Sequence, residues 1–97
     1  MKVIADICLI PIGVGTSLSP YVKVAYESLK NSGLPCTLGP YGTVIEGEYE
    51  EVSKSIKSAM EAVHEEGVPR ITMTIKMGSR QDKDQTAAEK VDAVIKD

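Results

Sequence analysis

Residues 3–12, VIADICLIPI, constrain this chain more than any other stretch. Eight of the ten are apolar and several are β-branched, which reads as a β-strand. Its alternate residues form two faces: Val3, Ala5, Ile7 and Leu9 on one side, Ile4, Asp6, Cys8, Ile10 and Ile12 on the other. Both faces are largely apolar, whereas an antiparallel strand with one wet side alternates apolar and polar residues. Each large aliphatic left in water forgoes roughly 1.5–3 kcal/mol, against the ~5–15 kcal/mol that stabilises a whole domain. Both sides of this strand therefore need cover. Pro11 has no N–H to donate, so it belongs near the strand end or on an unpaired edge.

The remaining elements follow in order. Ser19-Pro20 reads as a hydroxyl cap followed by a first-turn proline. Val22, Ala25, Tyr26 and Leu29 keep helical spacing until Asn31-Ser32-Gly33 ends the helix. Pro35–Leu38 and Thr43–Glu48 read as short strands joined by the turn Gly39-Pro40-Tyr41-Gly42. A second helix is predicted from about Tyr49 to Glu66, with Val52, Ile56, Ala59, Met60 and Val63 as its stripe and Gly67 and Pro69 as its stop. Ile71, Met73, Ile75 and Met77 alternate with Thr72, Thr74 and Lys76, the pattern of a half-buried strand. The polar GSRQDKDQ stretch leads to a short last helix with Val91, Val94 and Ile95 on its apolar side. Thr86 and Glu89 fit a capping box, and an Asp of the preceding turn is a further expected cap.

This order, βαββαβ plus a short C-terminal helix, is that of an α+β ferredoxin-like domain spanning residues 1–97. In it the first and third strands are central in an antiparallel sheet, and the two long helices cover one face. The last helix is too meagre in apolar residues to cover the other. A second copy is expected there, giving a homo-oligomer packed through its sheets.

Composition excludes several functions. The net charge is −3, with 11 Lys and Arg scattered among 14 acids, and there is no Phe or Trp; nucleic acid is not an expected partner. No apolar run approaches the ~18 residues of a membrane span. The start MKVIADICLIPIG is too short and too acidic for a signal peptide. Cys8 and Cys36 form no C-x-x-C, so two reduced thiols in a cytoplasmic protein are expected.

Fold does not fix function, so each known use of this one must show its own site. Phosphate hydrolysis of the acylphosphatase kind needs an arginine in the loop after the first strand, and Gly13-Val14-Gly15-Thr16-Ser17 has none. A soft-metal carrier needs paired thiolates there. An RNA-recognition module needs aromatics on the central strands, and a P-loop needs a lysine. His64 has no nucleophile placed beside it and reads as a helix surface residue. Asp6 and Glu46 are expected on neighbouring strands, facing the same side. They are either paired with Lys76 or Arg80, or they line a cavity for a cationic or amidine-like ligand. With Ser19 as cap, Thr16 and Ser17 are free to bind something, or are ordinary turn residues.

ADICLIPIG, TSLSPYVKVAYESLK, YGTVIEGE, HEEGVPRITMTIKMGSRQDK and a closing K-V-D-x-V helix together resemble the small thiamine-binding protein family over nearly the whole chain. The resemblance implies ferredoxin-like subunits, homodimers and homotetramers, and binding of thiamine or its hydroxymethylpyrimidine moiety without catalysis or a cofactor. The positions matching its motifs are Ile10-Pro11, Ser17, Tyr21, Gly42-Thr43, Glu46, Arg80 and Asp82.

The residues suit that ligand. Glu46 can hold the aminopyrimidine through charge-assisted hydrogen bonds, Thr43, Ser17 or Thr16 its remaining edge, and Ile10 or Ile12 its ring faces. The expected ligand-binding set is Asp6, Ile10, Thr16, Ser17, Tyr21, Thr43 and Glu46, with no catalytic or metal-binding residue. Only Lys76 and Arg80 are expected near enough to meet a phosphate, which favours the unphosphorylated vitamin. A structural adaptor for another protein is the competing reading, and it requires cations matched to Asp6 and Glu46. An enzyme using those two as acid and base ranks last.

Overall fold

Placed at the centre of a sheet, the apolar first strand finds cover on one side only. The computed structural model describes residues 1–96. Its elements are β1 (Lys2–Ile12), α1 (Ser19–Lys30), β2 (Cys36–Leu38), β3 (Thr43–Glu48), α2 (Tyr49–Glu65), β4 (Arg70–Ser79) and α3 (Ala87–Ile95). The strands form one sheet in the order β2-β3-β1-β4 with every neighbour antiparallel. This is the ferredoxin-like fold, with β1 and β3 central.

The register assigns each side chain to a face. Ile45 pairs with Ala5, and Thr43 with Ile7, so these residues share the side on which α1 and α2 lie. Val3, Ala5, Ile7 and Ile45 meet Ala25 and Leu29 of α1 and Val52, Ile56, Ala59 and Val63 of α2 in a single aliphatic core. Ile45, Val52 and Val63 are its largest fully buried side chains. Burying each contributes about 1.5–3 kcal/mol.

Helix ends show where local chemistry decided otherwise. Ser19 does not cap α1: Leu18 holds the N-cap position with no side-chain bond, and Ser19 is the first helical residue. Leu18 already has helical dihedrals, and its carbonyl accepts from the N–H groups of Tyr21 and Val22 at 3.0 and 3.1 Å. The turn thus closes one residue before the serine. At α3 the capping box forms, with Thr86 Oγ1 accepting from Glu89 N–H at 3.1 Å and Glu89 Oε1 accepting from Thr86 N–H at 3.3 Å. No Asp is needed there, and Asp82 pairs with Arg80 instead. Gly13, with φ +87°, sits in a left-handed conformation, and a Cβ there would also press on Pro69 at 3.3 Å.

β4 is half-buried only over its first half. Ile71 and Met73 pack against the core, whereas Ile75 and Met77 are 42% and 39% exposed, because α1 and α2 lie mainly over β1 and β3. The opposite sheet face carries Ile4, Asp6, Cys8, Ile10 and Ile12, as expected, with Ile10 exposed and Ile4, Cys8 and Ile12 half-buried. The C-terminal helix does not close this face with its apolar side: Val91, Val94 and Ile95 all remain exposed. Cys36 pairs with Ile45, so the two cysteines belong to opposite faces.

Candidate functional site

The open face gathers its polar residues where β3, β1 and β4 run side by side. Glu46 lies directly across from Ile4, and Asp6 directly across from Val44 on one side and Lys76 on the other. Asp6 and Glu46 are therefore diagonal neighbours on one face, their Cα atoms about 7–8 Å apart. Both line a hollow of about 320 Å³, together with Ile4, Lys76, Arg80 and Lys90. Its other wall comes from the turn after β4 and from α3.

Glu46 holds that wall in place. Its two carboxylate oxygens each lie 3.3 Å from the backbone N–H of Ala87, the first residue of α3. A helix N-terminus presents unpaired donors and a partial positive charge, so a carboxylate is stabilising there. Arg80 organises the preceding turn. Its Nε donates to Asp82 Oδ1 at 2.8 Å and its Nη1 to Gln85 Oε1 at 2.9 Å. The Arg80 guanidinium holds the Asp82 carboxyl down at about 2, and Asp82 in turn raises Arg80 above its ordinary value.

Arg80 is thus engaged within its own turn, and Lys76, directly across from Asp6, is the cation next to that acid on the sheet. Among the described residues, no ion pair within 4.0 Å involves Asp6 or Glu46. Asp6 is held by shape instead: a Cβ at position 42 would lie 2.5 Å from its Oδ1, so Gly42 leaves the carboxylate the space it occupies. A second hollow of about 340 Å³ shares Asp6 and Lys76 with the first and is lined by Cys8, Thr37, Tyr41 and Thr74.

Of the seven expected ligand-binding residues, the structure brings only Asp6 and Glu46 into one hollow. Thr43 is buried on the helix-covered face, opposite to Glu46. Tyr21 packs against the core from α1, and Thr16 and Ser17 are exposed in the loop before α1. Ile10 is on the open face but four residues along β1 from Asp6, about 13 Å at the strand rise. His64 lies outside the site, its Nδ1 2.8 Å from the carbonyl oxygen of Val68.

Reasoning from sequence missed the reach of the C-terminal segment. Lys83, Lys90 and Gln85 line the hollow, as does Lys2 at the start of β1. The expectation that only Lys76 and Arg80 could meet a phosphate therefore fails, since a turn and a helix fold back over the sheet. The capping-box motif at Thr86 marks where the helix starts but not where its N-terminus docks. Among the described residues no group of three or more His, Cys, Asp or Glu is arranged to hold a metal ion. No described helix is long and apolar enough to cross a membrane.

Comparison with known proteins agrees with this architecture. A family model described as thiamine-binding protein matches residues 5–95. A UPF0045 protein of Synechocystis sp. is 46% identical over 94 residues, covering 97% of this chain and 78% of its own. A hypothetical protein of Methanocaldococcus jannaschii superposes with a TM-score of 0.89 at 38% identity, over 96% of this chain and 95% of that one. A Thermotoga maritima structure, described as a candidate thiamine biosynthesis/salvage protein, superposes with a TM-score of 0.81 over 97% and 99% of the chains. At 24% identity it speaks for the fold alone.

Proposed function

Because the chain belongs to the thiamine-binding protein family, we propose that its open sheet face binds thiamine, or the hydroxymethylpyrimidine moiety of thiamine, without catalysing a reaction on it. One observation carries the reading. Two carboxylates with no ion-pair partner within 4.0 Å among the described residues, Asp6 and Glu46, line the same hollow of about 320 Å³, a volume within the range of small-molecule sites. An aminopyrimidine presents donor and acceptor atoms side by side, and a carboxylate accepts from its amino group in a charge-assisted bond. Thiamine also carries a ring cation that needs a counter-charge. Glu46 keeps lone pairs beyond those facing Ala87 N–H, since a carboxylate has about four acceptor sites.

The competing adaptor reading requires a face without a cavity and cations matched to Asp6 and Glu46; the hollow, the binding of Arg80 to Asp82 and Gln85, and the lack of a Lys76 ion pair within 4.0 Å among the described residues speak against it. Calorimetry and thermal shift with thiamine and hydroxymethylpyrimidine test the proposal. Binding at micromolar to low millimolar ligand, weakened in Glu46→Gln, is the expected result; no heat and no shift at millimolar ligand refutes it.

The same reading includes self-association in the cytoplasm as a homodimer or homotetramer. Ile10 on the open face and Val91, Val94 and Ile95 on α3 are exposed in the single chain, as are Ile75 and Met77 on the helix side of β4, apolar side chains of the kind that subunit contacts cover. Sedimentation at micromolar concentration is expected to give more than one copy, and a monomer would contradict it.

A further inference from the structure

The hollow beside Glu46 reverses the charge balance of the molecule. The chain as a whole has 14 acids against 11 Lys and Arg. The hollow is lined by five cationic residues, Lys2, Lys76, Arg80, Lys83 and Lys90, against three acids, Asp6, Glu46 and Asp84. Arg80 is neutralised by Asp82, but none of the four lysines has an acidic partner within 4.0 Å among the described residues. Nor do they belong to one charged run. Lys2 opens β1, Lys76 lies on β4, Lys83 in the turn and Lys90 on α3. Four separate segments converge, and the Glu46–Ala87 bond together with the Arg80–Asp82–Gln85 turn holds two of those segments over the sheet.

With Arg80 paired to Asp82, four lysines outnumber three acids round the hollow, and an anion placed among those lysines meets that surplus of positive charge. We infer that the hollow accepts the vitamin as a phosphate ester, with the aminopyrimidine at Asp6 and Glu46 and the phosphoryl group among Lys2, Lys76, Lys83 and Lys90. This rests on the thiamine reading and specifies the chemical form of its ligand. A phosphoryl group offers strong acceptor oxygens and close to two negative charges, and lysine meets it as a point charge. The ring cation and the phosphate then each find opposite charge in the same hollow.

Calorimetry on the full chain with thiamine, thiamine monophosphate and thiamine diphosphate tests the inference. At low salt the phosphorylated forms are expected to bind at least about tenfold more tightly than thiamine. That advantage should shrink as salt rises towards 0.5 M, because exposed charges are screened within about 10 Å already at 0.1 M. The double substitution Lys83→Gln, Lys90→Gln, at two exposed positions, should reduce the phosphorylated forms most of the way to the affinity of thiamine. Thiamine binding as tightly as its phosphates, or a double variant that preserves the full advantage, overturns the phosphate assignment and leaves the vitamin reading standing. No binding of any of the three overturns both.

Discussion

The carboxylate of Glu46 on β3 accepts from the backbone N–H of Ala87, 41 residues further along the chain, at 3.3 Å from each oxygen. This is a long-range tie between α3 and the sheet, made by a residue that also lines the proposed site. Removing it with Glu46→Ala should leave the core intact and free the helix. Amide exchange over residues 87–95 is expected to accelerate at least about tenfold, consistent with the ~1.5–3 kcal/mol of a hydrogen bond to a charged group. Exchange in α2 should change little, which hydrogen-exchange mass spectrometry can resolve.

Asp6→Asn is expected to weaken ligand binding about tenfold, roughly the 1.4 kcal/mol that separates a charged from a neutral acceptor. Asp6 is exposed and makes no ion pair within 4.0 Å among the described residues, so stability should stay within about 0.5 kcal/mol. Calorimetry and a urea melt on the same preparation separate the two effects. An unchanged dissociation constant would remove Asp6 from the site.

Ile45→Ala and Ile10→Ala contrast the two faces of the sheet. Ile45 is fully buried, and its truncation should cost about 2–5 kcal/mol. Ile10 is 41% exposed in the single chain, and its truncation should cost well under half as much in the monomer. If subunits cover the open face, Ile10→Ala instead lowers stability in a manner that depends on protein concentration. Thermal melts at two concentrations reveal which holds.

The turn after β4 should tolerate mild acid. The Asp82 carboxyl is lowered from 3.8 to about 2 by the Arg80 guanidinium. A carboxyl with a depressed folded value adds stability that is fully present above its unfolded value and lost as pH falls through the folded one. The Arg80–Asp82 pair is thus expected to persist at pH 5 and to loosen between about pH 4 and 2. The side-chain N–H resonance of Arg80, followed through an NMR titration, checks this; Asp82→Asn should abolish the transition.

Much of the fold was legible because its signals are local. A run of β-branched apolar residues marked β1 and period-two alternation marked β4, and the Gly39–Gly42 turn marked the hairpin, which closes with Gly39 N–H donating to the Gly42 carbonyl at 2.8 Å. The Val52, Ile56, Ala59, Val63 stripe marked α2, and all four are buried. The site was less legible, for two different reasons. Thr43 and Glu46 are three residues apart on one strand, an odd spacing that turns them to opposite faces; that much is written in the sequence. The return of residues 80–90 across the sheet was not there to read, since it depends on a bond between Glu46 and a backbone group of Ala87, whose side chain carries no polar signal. The alternation of β4 likewise told which face each residue takes but not how far the helices would extend over it.

The placement of Cys8 and Cys36 on opposite faces has a practical consequence. With a sheet between the two sulfurs, an oxidant cannot staple the folded chain to itself. Burial also pushes the Cys36 thiol up, which depletes the thiolate that such chemistry requires. Any disulfide formed on storage without reductant would therefore join separate copies, a species that a non-reducing gel separates from any assembly held by packing alone.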